Sequence, residues 1–242
     1  MFTALQNSLL SIIYPQECSA CLGQVESFDD GVACDECWSA TRIFIGSEML
    51  CDKCGAFFGD TAAPVPVFCH KCDEHKYDKA AAVGVYEKAL SATIVNLKTT
   101  PKIPARLKTL IPVALKIAAF GEVDLILPVP LSRTRRHERG FNQSEIIAAV
   151  ISNELRIPMD RSSLVRKLHT PIHRVAMDDR ARELTVQNAF EIARPKLIAG
   201  RNILLVDDVF TSGATASGCS RVLKKAGAGK VNIFTLARAV MN

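Results

Sequence analysis

The chain has 242 residues, of which 48% are hydrophobic and 23% charged, a composition typical of a globular protein. None of its apolar runs approaches the roughly 20 residues that a membrane-spanning helix needs. The first 15 residues have neither a positively charged region nor a small-residue cleavage pattern, so we do not expect a secretory signal. This length allows one large domain, or one domain with a small module.

The formal net charge of +5 is divided unevenly along the chain. Residues 1–80 contain 5 Lys and Arg against 12 Asp and Glu, whereas residues 81–242 contain 25 against 13. This asymmetry indicates two modules, which we place at residues 1–76 and 77–242. The larger, basic module is expected to meet an anion, either a phosphorylated small molecule or a nucleic acid.

Eight of the nine cysteines form four Cys-x-x-Cys pairs, separated by 12, 13 and 14 residues. A disulfide framework is typical of secreted chains, and nothing here directs secretion. Two such pairs closing on one ion supply the four thiolates that zinc prefers, so we predict two structural zinc ions. The predicted ligands are Cys18, Cys21, Cys34, Cys37, Cys51, Cys54, Cys69 and Cys72.

The pairing of the cysteine knuckles is open at this point. Sequential pairing closes the shortest loops and costs the least entropy, but spacing alone does not exclude an interleaved arrangement. Zinc modules often bind nucleic acid, yet this one is acidic before the thiolates are counted. A structural or protein-docking role is therefore favoured over direct binding to a phosphate backbone.

The basic module begins with a predicted strand at residues 80–86, followed by predicted helices at residues 90–98 and 103–120. A short buried strand at residues 124–130 then ends in prolines and leads into a basic loop. Four arginines within seven residues, at the carboxyl end of a strand and just before a helix, favour anion binding over a merely solvated loop. These are Arg133, Arg135, Arg136 and Arg139.

A helix capped by Asn142 is predicted next, and then a short strand at Leu164–Arg166. The polar stretch at residues 167–185 has little periodicity, and both a closing lid and plain disorder are consistent with it. Cys219 lies on the apolar face of a later helix, so we interpret it as a core thiol. A last strand is predicted at residues 230–240, and the alternation of strands and helices predicts a mostly parallel, doubly wound α/β sheet.

Residues 203–215 form the most informative stretch of the chain. A buried strand is predicted to end in two adjacent carboxylates, Asp207 and Asp208, and small residues then lead into a helix that begins at Ala214. Carboxylates at this position can accept hydrogen bonds from sugar hydroxyls or hold Mg²⁺, and backbone N–H groups before a helix suit a phosphate. The stretch therefore predicts a site for a phosphorylated sugar.

This stretch resembles the phosphoribosyl-pyrophosphate signature of type I phosphoribosyltransferases. The order of the cysteine knuckles, the run Arg139-Gly-Phe-Asn-Gln-Ser144 and the signature is similar to that of the ComF family over nearly the whole chain. The resemblance implies a type I phosphoribosyltransferase-like fold, preceded by a zinc-ribbon module. It also implies that Asp207 and Asp208 contact the ribose and Mg²⁺.

The resemblance assigns three loops to the same ligand. The 5′-phosphate loop comprises Thr211, Ser212, Gly213, Ala214 and Thr215. The pyrophosphate loop and its basic cluster comprise Leu131, Ser132, Arg133, Arg136 and Arg139. The flexible loop that would close over the site contains His173, Arg174, Arg180 and Arg182.

The resemblance leaves three functions open. The ComF family is linked to competence, which implies handling of internalised single-stranded DNA in the cytoplasm, with competence proteins such as a helicase as partners. An active Mg²⁺-dependent phosphoribosyltransferase with an unknown acceptor is the second hypothesis. A non-catalytic adaptor that docks partners through its zinc module is the third.

Overall fold

The computed structural model describes residues 14–167 and 189–240. The strands of these residues form one four-stranded sheet and two small antiparallel pairs. In chain order they are β1 (Met49–Leu50), β2 (Phe57–Gly59), β3 (Lys79–Val85), β4 (Leu125–Pro128), β5 (Leu164–Arg166), β6 (Phe190–Ile192), β7 (Ile203–Phe210) and β8 (Val231–Arg238). The main sheet has the order β3-β8-β7-β4, and all its neighbouring strands are parallel.

The α-helices of the described residues mostly connect these parallel strands. They are α1 (Asp35–Ser39), α2 (Lys88–Asn96), α3 (Ala105–Ala118), α4 (Arg133–Arg139), α5 (Gln143–Leu155) and α6 (Ala214–Lys225). Asn142 caps α5 as predicted, because its side-chain oxygen accepts a hydrogen bond from the N–H of Ser144 at 3.2 Å. No helix within residues 14–167 or 189–240 has the length and hydrophobicity to cross a bilayer.

Two hydrophobic cores lie on opposite faces of the sheet. Alternate strand residues point to opposite faces, so Leu204 packs with buried residues of α2, α3 and α5, whereas Leu205 packs with those of α6. Cys219 of α6 is fully buried in the second core, as predicted for a core thiol. The predicted α/β fold with helices on both faces of a parallel sheet is confirmed.

The cysteine-rich segment is built into both cores. Cys18, Cys34 and Cys37 are buried with the α2, α3 and α5 side, whereas Cys51, Cys54 and Cys72 are buried with the α6 side. The segment before β1 also pairs with the outer edge of β3. There the N–H of Phe44 donates to the Val83 carbonyl at 2.9 Å, and a Cβ on Gly84 would lie 2.4 Å from the Arg42 carbonyl oxygen. Division of the chain at residue 76 stays a prediction.

Two local predictions were wrong. The basic loop at residues 133–139 is the helix α4, which Ser132 caps by accepting a hydrogen bond from the N–H of Arg135 at 3.3 Å. The strand that carries Asp207 and Asp208 continues to Phe210, because its pairing with β8 extends to the Phe210–Arg238 register. The predicted flexible-loop residues His173, Arg174, Arg180 and Arg182 lie outside the described residues.

Candidate functional site

The cysteines form two clusters with the sequential pairing that loop closure favours. Within each cluster the four sulfur atoms all lie within 4.8 Å of one another. Site 1 contains Cys18, Cys21, Cys34 and Cys37, and site 2 contains Cys51, Cys54, Cys69 and Cys72. The predicted set of eight ligands is therefore divided as expected between two tetrads.

The sulfur geometry fits zinc and not disulfides. Sulfur–sulfur distances between knuckles are 3.8 Å for Cys18–Cys37 and 3.6 Å for Cys21–Cys34 at site 1, and 3.5 Å for Cys51–Cys72 and 3.6 Å for Cys54–Cys69 at site 2. A tetrahedral ion with Zn–S bonds of about 2.3 Å places its ligands about 3.8 Å apart, whereas a disulfide needs about 2.05 Å. Both sites are thus Cys₄ zinc sites.

Backbone N–H groups point at the sulfur atoms, which favours their thiolate form. The N–H groups of Ala20 and Cys34 donate to the Cys18 sulfur at 3.4 and 3.3 Å, and the N–H of Cys69 donates to the Cys51 sulfur at 3.3 Å. Burial acts to raise the pKa of Cys18, but these hydrogen bonds hold it at about 6. The folded backbone therefore favours the thiolate form of Cys18 and Cys51, whereas burial raises the pKa of Cys37, Cys54 and Cys72.

The second candidate site lies at the carboxyl end of β7. The side chains of Asp207 and Asp208 are both half-buried, three and two residues before the strand ends. One oxygen of Asp207 accepts two hydrogen bonds of 2.9 Å, from the hydroxyl of Ser144 and from the N–H of Asp208. Ser144 belongs to the first turn of α5, so this helix orients the Asp207 carboxylate.

The pKa of Asp207 is raised to about 7. Burial is the largest cause, and the neighbouring Asp208 carboxylate adds to it, while Ser144 and Arg166 act in the opposite direction. A carboxyl group that holds its proton near neutrality releases it when a cation arrives. The site is therefore prepared for a divalent cation or for sugar hydroxyls, both of which interact favourably with the ionised form.

The loop after β7 presents backbone N–H groups beside these carboxylates. Thr211 and Ser212 are exposed, and Gly213 has a φ of +83° at the N-cap of α6. A Cβ at Gly213 would lie 2.8 Å from the Phe210 ring, so only glycine fits there. Ala214 and Thr215 open the helix, so their N–H groups have no intrahelical acceptor; that of Ala214 donates to the Ser212 hydroxyl at 3.4 Å, and the helix dipole adds positive potential.

The basic cluster is only partly assembled. Leu131, Arg133 and Arg136 line a cavity of about 530 Å³ that opens between the end of β4 and the β5–β6 pair. Arg136 also forms an ion pair of 2.5 Å with Glu145. Arg139, in contrast, is not among the residues that line this cavity.

The structure adds residues that the sequence did not single out. Arg161, Arg166 and Lys167 line the same cavity, and Arg166 lowers the pKa of Asp207. Arg238 ends β8 and donates to the Thr211 carbonyl at 2.6 Å. Only Arg166 had a sequence signal, its position at the end of a predicted strand.

Comparison with known proteins supports the zinc sites and finds relatives that span most of the chain. The family model of the double zinc ribbon domain matches residues 9–73. Competence protein F of Haemophilus influenzae is 29% identical over 231 residues, which cover 92% of this chain and 96% of that protein. DNA utilization protein YhgH of Escherichia coli K12 is 29% identical over 215 residues, or 86% of this chain and 90% of that one.

Weaker matches include partial relatives and solved structures. Competence protein ComFC of Bacillus subtilis is 31% identical over 121 residues, covering 48% of this chain and 45% of that one. Adenine phosphoribosyltransferase of Saccharomyces cerevisiae superposes with a TM-score of 0.35 at 16% identity, covering 56% of this chain and 70% of that one. The glutamine phosphoribosylpyrophosphate amidotransferase of B. subtilis gives 0.33 at 20% identity, with coverage of 47% and 22%.

Three findings thus agree. A relative named for competence aligns with 92% of this chain, the double zinc ribbon model matches residues 9–73, and both Cys₄ sites lie within those residues. The resemblance to the ComF family that the motif order indicated is confirmed.

Proposed function

We propose that this protein binds phosphoribosyl pyrophosphate with Mg²⁺ at the carboxyl end of β7 and handles internalised single-stranded DNA during natural transformation. The observation that carries the proposal is that Asp207 and Asp208 lie close to the loop of residues 211–213, which ends in Gly213 at the N-cap of α6. Carboxylates suit ribose hydroxyls, and N–H groups at a helix start suit the 5′-phosphate.

The residues present fit Mg²⁺ at this position. Asp207 and Asp208 offer the oxygen ligands that this hard cation prefers, directly or through water. The bound ion would neutralise charge on the pyrophosphate group. Because the pKa of Asp207 is about 7, cation binding displaces a proton there, and affinity is expected to rise with pH between about 6 and 8.

Basic side chains support the pyrophosphate end of the ligand. Arg133, Arg136 and Arg166 line the cavity between β4 and the β5–β6 pair, and their charge suits two phosphate groups. The Arg136–Glu145 pair means that Arg136 must exchange its partner, or share it, when an anion enters. Arg133 has no such competing carboxylate among the ion pairs of the described residues.

The DNA-handling part of the proposal rests on the relatives and on charge. The matched proteins are named for competence and for DNA utilization. Residues 81–242 have 25 basic against 13 acidic residues, which is compatible with binding a polyanion. We place this activity in the cytoplasm, with a competence helicase as a candidate protein partner, and the thiolate zinc sites suit a reducing compartment.

Calorimetric titration of phosphoribosyl pyrophosphate with Mg²⁺ tests the ligand assignment. The double variant Asp207→Asn with Asp208→Asn should lose binding by at least about a hundredfold, because both charged ligands of the cation disappear. Asp60→Asn is the control for loss of a carboxylate outside the site, since the side chain of Asp60 is 77% exposed and pairs with Arg42. Undiminished affinity in the double variant would contradict the assignment.

An active phosphoribosyltransferase is the second candidate function. The observation that favours it is the cavity of about 530 Å³, which has room for an acceptor beside the proposed pyrophosphate position. Mg²⁺ and arginines would stabilise the charge that develops on the leaving pyrophosphate. Pyrophosphate release should be measured with bases, nucleosides and amines. Absence of turnover, together with strongly salt-dependent binding of single-stranded DNA, would eliminate this candidate.

An adaptor role is favoured by apolar side chains exposed on the ribbons. Leu22 is 76% exposed and Phe68 63%, so each offers apolar surface to a partner. Replacing both with serine in the full chain should reduce the set of captured partners without loss of zinc. An unchanged set would remove the adaptor hypothesis.

A further inference from the structure

Arg238 connects zinc site 2 to the loop that we assign to the 5′-phosphate. It is the last residue of β8, and its side chain is only 6% exposed. One terminal nitrogen donates to the Cys54 sulfur at 3.6 Å. The other donates to the carbonyl oxygens of Thr211 at 2.6 Å and Phe210 at 3.4 Å. A single guanidinium thus bridges a zinc ligand and the start of the phosphate loop.

The charge of this buried guanidinium requires a partner. Arginine stays protonated at any pH that a folded protein experiences, and an uncompensated buried charge is costly. No ion pair among residues 14–167 and 189–240 joins Arg238 to a carboxylate. A zinc ion with four thiolates carries a net charge of about −2, and the contact with Cys54 makes site 2 a counter-charge for Arg238.

A second contact runs from the same ribbon to the same loop. His75 follows the last ligand of site 2 by three residues and stacks on Tyr77, with ring centroids 5.1 Å apart. Tyr77 meets the edge of Phe210 at 5.7 Å. A Cβ added to Gly213 would lie 3.1 Å from Nε2 of His75, so the ribbon lies directly against the turn of the loop.

We propose that zinc at site 2 holds residues 211–213 in their ligand-binding conformation through Arg238, which acts as a positioning residue. Loss of zinc removes the negative charge that retains the guanidinium, and the Phe210 and Thr211 carbonyls then lose their donor. In the described part of the chain site 1 makes no such contact with Arg238, so we expect its loss to leave the loop unchanged. The effect on ligand affinity rests on the proposed binding of phosphoribosyl pyrophosphate, whereas the effect on the loop itself does not.

Two matched cysteine variants separate the zinc sites. Cys69→Ser and Cys21→Ser each remove one accessible ligand, from site 2 and site 1 respectively, and each should lower the metal content from two zinc ions to one per chain. Hydrogen exchange of amides 211–217 should become at least tenfold faster in Cys69→Ser. In Cys21→Ser it should stay within twofold of the unmodified chain. Equal effects of the two variants would overturn the proposal.

Arg238→Gln tests the bridge directly. We expect faster exchange of the same amides and at least tenfold weaker binding of phosphoribosyl pyrophosphate in calorimetry. The amides of α5 serve as an internal reference for global unfolding. If amides throughout the Arg238→Gln chain exchange faster, the variant is globally destabilised and Arg238→Lys is tested in its place. The single terminal nitrogen of lysine keeps the charge beside Cys54 but cannot reach both carbonyls. Two zinc ions with faster exchange confined to the loop would support the bridge, and unchanged loop exchange in the folded variant would refute it.

The two proposals fail in different ways. If the unmodified chain binds no phosphoribosyl pyrophosphate, the proposed function is wrong, but the exchange comparison still decides whether Arg238 positions the loop. If the ligand binds and Arg238→Gln changes neither exchange nor affinity, the function stands and the bridge is wrong.

Discussion

Replacing Asp207 with asparagine should stabilise the protein above neutral pH while removing ligand binding. Asparagine has almost the same shape, and its amide oxygen can still accept the hydrogen bonds from Ser144 and from the N–H of Asp208, which converge on one carboxylate oxygen. What disappears is the cost of ionising a carboxyl group whose pKa is raised to about 7, chiefly by burial.

The sign and size of this effect follow from proton linkage. A carboxyl group with a raised folded-state pKa costs nothing below its unfolded value of 3.8, and the cost grows until the pH passes about 7. The full shift of roughly 3 pKa units sets an upper limit of about 4 kcal/mol, of which about 2 kcal/mol develops between pH 5.5 and 7. For a chain of this length, about 2 kcal/mol corresponds to a rise in Tm of about 4–8 °C.

Thermal unfolding between pH 5.5 and 8.5 measures this difference. The advantage of Asp207→Asn over the unmodified chain should grow with pH up to about 7 and then stay constant. Our account of the Asp207 environment would be refuted if Asp207→Asn were less stable than the unmodified chain at pH 8, or if the difference did not change with pH.

Three further predictions concern glycine and zinc. Gly213→Ala should lower the free energy of unfolding by about 2–4 kcal/mol and weaken ligand binding, because φ is +83° and the new Cβ would lie 2.8 Å from Phe210. Gly200→Ala is the control, since φ is +75° but the space around it is open, and it should cost only about 1 kcal/mol. Equal losses of stability in denaturant titration would contradict this prediction. Gly84→Ala should lower the Tm strongly, since its Cβ would lie 2.4 Å from a backbone oxygen; an unchanged Tm would show that the edge pairing is dispensable. Metal analysis should find two zinc ions per chain. Removal of both ions by a chelator should unfold the protein cooperatively, because cysteines of both sites are buried in the hydrophobic cores. A native circular dichroism spectrum after chelation would refute this prediction.

Most of the main sheet was predictable because its strands have strong local signals. β7 and β8 are short apolar runs bounded by polar or glycine-rich segments. The helix α4 was missed for the opposite reason, since none of its residues is buried and it has no apolar period to detect. The end of β7 was misplaced because two carboxylates favour a strand end, whereas register with β8 carries the strand on to Phe210.

The sequence by itself determined those features that depend only on residues close together along the chain. The Cys-x-x-Cys spacing specified eight zinc ligands, and residues 203–215 specified the existence of a buried strand with two carboxylates, followed by a helix from Ala214. These motifs are readable because each ligand set is held by a short length of backbone.

Only the tertiary structure decided how these pieces act on one another. Ser144 reaches Asp207 across 63 residues, and Arg238 reaches Cys54 across 184. The first contact exists because β4, which precedes α5, is the parallel neighbour of β7; the second exists because β8 is the other neighbour of β7 and site 2 packs in the core on that side. Strand order and packing depend on contacts throughout the chain, so no local pattern in the sequence records them.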